Sequence, residues 1–160
     1  MDNINKKFVD SLIEAEKQWR SADHLIYITL PVVKDTRLLL RALDSINKSV
    51  TLSISTILKF EYLYKRVELS ADSGKNLETF FKKCAGRYGL NEQDNKDLKR
   101  ILFLGKKHKE SGFEFSKYRK VVILDDNLTV DEVTDGQIKE FLKVSRKIIE
   151  KSLAILKGQS

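Results

Sequence analysis

Val50-Thr51-Leu52-Ser53-Ile54-Ser55 alternates apolar and hydroxyl-bearing residues without a break, the pattern of a half-buried β-strand. Its state decides the fold, because it lies in the middle of a long periodic stretch. No Gly or Pro bounds it. Before it, Leu39, Leu43, Ile46 and Val50 recur at helical spacing, and after it Ile57, Phe60 and Tyr64 do the same. The alternation is therefore read as the interior of one helix running from about Thr36 to about Val67. Its hydroxyls return hydrogen bonds to the preceding turn, at some cost in straightness.

Toward the N-terminus, Ile4, Phe8, Leu12, Ala15, Trp19, Ala22 and Ile26 form one apolar stripe, predicting a helix to about Ile28. Pro31 is expected to end or kink it, and Asp35 to cap the helix that follows. Toward the C-terminus, Ala71–Gly74 reads as a loop and Lys75 to Tyr88 as a short helix, with Gly89 suited to its left-handed C′ position. Asn91 caps a further helix to about Glu110, with Leu98, Ile101, Leu102 and Leu104 inward and Gly112 as the closing breaker. Tyr118 to Leu124 is a strand candidate, Asp125-Asp126-Asn127 is turn chemistry, and Leu128 to Val130 returns as the partner. A last helix covers Asp135 to Leu156. The expected architecture is mainly α: one domain over residues 1–160, a four- to five-helix bundle with one small β-hairpin (about 118–133) inserted before the last helix.

Composition agrees. A single proline and seven glycines are too few for a turn-rich all-β chain, and 41% apolar content is too high for disorder. At 160 residues the chain buries about 70% of its unfolded surface and needs no structural metal or disulfide. No apolar run is long enough to span a bilayer, and Met1–Trp19 carries charges throughout where a secretory signal needs an apolar core. The expectation is a soluble, cytoplasmic protein without a membrane partner.

The net charge of +7 is concentrated. Residues 96–120 hold nine basic and three acidic side chains, an excess of +6, while residues 1–30 and 121–160 are each at −1. The basic residues are Lys96, Lys99, Arg100, Lys106, Lys107, Lys109, Lys117, Arg119 and Lys120, with Phe113, Phe115 and Tyr118 among them. Cations interleaved with aromatics hold single-stranded RNA or DNA by phosphate contact and base stacking. The plain alternative is a solvated basic face, with the aromatics in the core at the base of the hairpin. The expected nucleic-acid-binding set is Lys99, Arg100, Lys106, Lys107, His108, Lys109, Phe115, Lys117, Tyr118, Arg119 and Lys120.

Catalytic signatures are sparse. Two histidines far apart in sequence and one cysteine, Cys84, make no zinc motif, and neither Ser111 nor Cys84 has a recognisable base beside it. No glycine-rich phosphate loop is present, so no metal and no cofactor is expected. Asp125-Asp126 reads as turn rather than cation site. His24 lies about 160° around its helix from Phe8 and reads as a surface residue. His108, within Lys106-Lys107-His108-Lys109, is expected to be surrounded by cations that favour its neutral form, the form a general base for ribose hydroxyl attack requires. The alternative is a histidine that helps satisfy the last carbonyls of its helix.

Trp19-Arg20-Ser21-Ala22-Asp23-His24-Leu25-Ile26-Tyr27 followed by Leu30-Pro31-Val32-Val33-Lys34-Asp35, and later His108-Lys109-Glu110-Ser111, Phe113-Glu114-Phe115-Ser116, Arg119 and Val121-Val122-Ile123, resemble a set of small archaeal proteins. Their plan is similar to the HEPN superfamily. That resemblance implies a compact helical bundle that often dimerises and acts in RNA-directed defence or beside nucleotidyltransferases. Active members cleave RNA with an arginine and a histidine separated by four to six intervening residues. Here Arg100 and His108 have seven residues between them, and Arg20 and His24 have three, so the resemblance implies a non-catalytic member.

Three expectations follow. The first is a non-enzymatic module binding RNA, or an RNA-containing assembly, through residues 96–120. The second is a metal-independent ribonuclease using His108 with Arg100 or Arg119. The third is a homodimeric or partner-protein scaffold without nucleic acid.

Overall fold

The computed structural model describes residues 2–111 and 113–158, without the side chains of Asp2 and Ile4. The Gly112 breaker thus lies outside the described residues, as does the Ile4 side chain of the first stripe.

α1 (Asp2–His24) runs through a π-helical turn, Leu25–Thr29, into the short α2 (Leu30–Val33). Pro31 therefore lies inside the rod instead of ending it. A proline ring crowds the carbonyl four residues back, here that of Tyr27. The π turn widens the backbone at that point, and the Leu30 amide reaches five residues back to the Leu25 carbonyl. The rod stops at Lys34, which takes the left-handed conformation (φ 60°) and donates its amide to the Leu30 carbonyl.

α3 (Leu38–Leu63) contains the whole Val50–Ser55 alternation, which is helical as expected. Ser53 Oγ donates to the Ser49 carbonyl at 2.9 Å, and one turn on Thr56 does the same to Leu52 at 2.7 Å. α3 begins two residues later than predicted, though the Asp35 carboxylate does accept the Arg37 amide in the opening turn. It also ends earlier, at Leu63. Lys65 stands left-handed at C′ (φ 60°), and the Arg66 and Lys65 amides bond back to Glu61 and Tyr62.

α4 (Ser73–Thr79) starts at an Asp72 cap and continues into a second π turn, Phe80–Cys84. Gly89 is left-handed (φ 72°), as expected of a C′ residue. Asn91 and Asp94 form a reciprocal capping box at the head of α5 (Glu92–Glu110).

The expected hairpin is a three-stranded antiparallel sheet, β1 (Phe113–Lys117), β2 (Lys120–Leu124) and β3 (Val130–Thr134), in that order, followed by α6 (Asp135–Gly158). Tyr118 and Arg119 form the β1–β2 turn, with Arg119 left-handed (φ 59°). Asp125 organises the β2–β3 turn, its carboxylate accepting the amides of Asn127 and Thr129.

The bundle closes around Leu39, Leu43, Ile46, Phe80, Ile101 and Phe141, with a smaller cluster of Leu12, Phe60 and Leu156 at its far end. Trp19 Nε1 donates to the Leu142 carbonyl at 2.8 Å, tying α1 to α6, and Ser49 Oγ donates to the Ala15 carbonyl at 2.8 Å, tying α3 to α1. Val121, Ile123 and Val133 of the sheet join the main core, so one sheet face lies on the bundle. Among the described residues no helix is long and apolar enough to cross a membrane.

Candidate nucleic-acid interface

Strand pairing sorts the residues of the basic segment onto two faces. Residues directly opposite in antiparallel strands share a face. Glu114 pairs with Ile123 and Ile123 with Asp131, so both carboxylates lie on the inner face. Phe113, Phe115 and Lys117 pair with Leu124, Val122 and Lys120, and these lie on the outer face with Val130 and Glu132.

The two inner carboxylates are met by α5. Arg100 Nη2 lies 2.8 Å from Asp131, and Lys107 Nζ lies 2.5 Å from its other oxygen and 2.8 Å from the Thr129 carbonyl. Burial pushes the Asp131 carboxyl up, and the hydrogen bonds and charges of Lys107 and Arg100 outweigh that and hold it below the usual range. Lys107, expected on the binding surface, is 7% exposed and acts as an internal tie. Arg100 is partly committed in the same way.

His108 meets the other inner carboxylate, with Nδ1 2.6 Å from Glu114 and Nε2 3.3 Å from Asp44. The cation-surrounded imidazole expected from the sequence is corrected: its nearest charged groups are carboxylates, one at each ring nitrogen. Ser111 Oγ donates to the Leu124 carbonyl at 2.8 Å and pins the sheet to the end of α5.

The remaining cations do not form one patch. Lys106 and Lys109 are exposed near the end of α5, and Lys106 lines a pocket with Phe103, Glu110, Asp125 and Asp126. Lys117 and Arg119 lie at the other end of the sheet, about 13 Å away by the length of a strand. Lys99 is exposed farther back on α5, its ammonium 4.9 Å from the Phe81 ring centre. Lys120 pairs with Glu132 at 2.9 Å. Among the described residues, Lys99, Lys106, Lys109, Lys117 and Arg119 make no ion pair.

The aromatics are not core residues. Phe113 is 61% exposed and Tyr118 84%, with Phe115 at 38%. Phe113 and Phe115 meet edge to face, ring centres 6.0 Å apart. Lys117 Nζ lies 5.9 Å from the Phe115 ring, and the Arg119 guanidinium 5.3 Å from the Tyr118 ring.

Beside the β1–β2 turn opens a cleft of about 850 Å³. Ile26, Leu30, Pro31 and Leu39 contribute its apolar wall. Four cations line it, Lys34, Lys117, Arg119 and Lys139, against one carboxylate, Asp135. Lys34 and Lys139 escaped the sequence reading because they lie far in sequence from residues 96–120 and in stretches of ordinary charge. Among the described residues no group of three or more His, Cys, Asp or Glu side chains is arranged to hold a metal ion.

No protein-family model matches the chain, and no curated protein matches it.

Proposed function

We propose that the protein binds single-stranded RNA on the outer face of its sheet and the adjoining β1–β2 turn. One observation carries this reading: within a single hairpin, three exposed aromatic rings, Phe113, Phe115 and Tyr118, stand beside Lys117 and Arg119, cations that make no ion pair among the described residues. Exposed rings on a rigid sheet cost free energy in water and offer π-faces to unstacked bases, while the cations reach phosphates. The binding set keeps Phe115, Lys117, Tyr118 and Arg119 of the predicted one and adds Phe113, with Arg100, Lys107 and His108 placing the sheet on α5.

Fluorescence polarisation of a labelled twelve-nucleotide RNA with hydroxyl ends, across a salt series and beside matched DNA, tests the proposal. Binding should weaken steeply with salt. Phe113→Ala with Phe115→Ala should weaken it at least tenfold, at about 1–3 kcal/mol per lost stacking contact. Arg119→Gly removes the guanidinium at a position whose φ of 59° glycine adopts without strain. Absence of binding at low salt, or full binding by the double phenylalanine variant, overturns the reading. Cleavage of the RNA that disappears in His108→Ala would replace binding by catalysis.

A further inference from the structure

We propose that the cleft beside the β1–β2 turn takes the terminal phosphate monoester of the bound strand. The inference rests on the RNA-binding reading and deepens it by giving the strand an end. Three elements far apart in sequence converge here: Lys34 after α2, Lys117 and Arg119 at the β1–β2 turn, and Lys139 in the first turns of α6. Lys117 belongs both to the outer sheet face and to the cleft lining, so the stacking track and the cleft are continuous.

The charge balance selects the ligand. An internal phosphodiester carries one negative charge, and a terminal monoester at neutral pH carries nearly two. Four cations against one carboxylate favour the more highly charged group, and low-dielectric walls strengthen that preference. The wall of Ile26, Leu30, Pro31 and Leu39 offers apolar surface to the last nucleoside, and the volume lies in the range of small-ligand sites. Beside the cleft, the exposed Tyr27 ring lies 5.4 Å from the Lys139 ammonium. Two of the cleft cations, Lys34 and Arg119, occupy left-handed backbone positions, and the π turn Leu25–Thr29 forms part of the wall. Such local costs concentrate at functional sites.

The test compares three twelve-nucleotide RNAs of one sequence, with a 5′-phosphate, a 3′-phosphate or hydroxyls at both ends, on the full chain. A monophosphate at one end should bind roughly tenfold tighter than the hydroxyl-ended strand, and the preferred end identifies the polarity. The preference should shrink between pH 7 and pH 5, as the dianionic monoester takes up a proton near pH 6. Lys34→Asn with Lys139→Gln, where asparagine tolerates the left-handed position, should bring the ratio to about one while hydroxyl-ended RNA binds within twofold of the parent. An unchanged melting temperature of that variant excludes misfolding. Equal binding of all three strands by the parent overturns the end site and leaves strand binding standing. A ratio retained in the double variant overturns the assignment to this cleft. Failure of all three to bind overturns both proposals.

Discussion

The Lys107 ammonium lies 2.5 Å from the Asp131 carboxylate, across the junction of α5 and the inner sheet face, with both side chains largely withdrawn from water. A lysine in the middle of a basic run thus serves the interior. Asp131 has to sit there, because its alternation with Val133 and pairing with Ile123 turn it toward the bundle. An inward carboxylate without a cation would be costly, and α5 supplies two.

The first prediction concerns that pair. Lys107→Ala should cost about 3 kcal/mol at pH 7, because it leaves a part-buried carboxylate with one fewer partner. The Asp131 carboxyl is held below its ordinary value, so its contribution is complete above the unfolded pKa of about 3.9 and is lost as pH falls through the lower folded value. Melting curves from pH 7 to pH 2 should show a fall below about pH 4 that is smaller in Asp131→Asn.

Close approach of α5 to α3 supplies the second. A β-carbon on Gly105 would lie 2.5 Å from the Asn47 side-chain carbon, and Asn47 is buried. Gly105→Ala should cost about 1–3 kcal/mol by overpacking. Adding Asn47→Ala should recover part of that loss, giving a non-additive double-mutant cycle in denaturant unfolding.

Cys84 is fully buried, and burial, reinforced by the charge of Glu61, pushes its thiol up to about 11. It should resist an aromatic disulfide reagent at pH 8 in the native state and react at once in denaturant. Rapid native labelling would show that the turn Phe80–Cys84 opens readily.

Salt dependence separates positioning cations from binding ones. The logarithmic slope of RNA affinity against salt should become shallower by about 0.7 for each phosphate contact removed, as with Lys117→Gln or Arg119→Gly. Lys107→Met, corrected for any unfolded fraction, should leave the slope unchanged.

Much of the fold was legible because helices and caps are local. The 3.6-residue stripes marked α1, α3, α5 and α6, and Asn91 and Gly89 stand at the cap positions their chemistry suits. The misses were also physical. Phe113-Glu114-Phe115-Ser116-Lys117 alternates at period two and signals a strand, but its apolar residues face outward, where the charge pattern drew attention instead. Pro31 marked a helix end that a π turn upstream made unnecessary.

The candidate site was legible only in part. The exposed rings and the cations at 117–119 could be named, but Lys106 and Lys107 differ by one residue and hence about 100° around the helix. That rotation leaves Lys106 exposed and Lys107 buried.

Local spacing alone therefore determined a mainly α chain, the helix at Val50–Ser55 and an excess of positive charge between residues 96 and 120. Tertiary structure decided how that charge is used. The register of the sheet turned Glu114 and Asp131 inward and drew Arg100, Lys107 and His108 after them. Chain crossings then brought Lys34 and Lys139 to Lys117 and Arg119. Hydrogen-bonded periodicity is written in neighbouring residues, whereas the meeting of charges depends on which surfaces pack, and packing is a property of the whole chain.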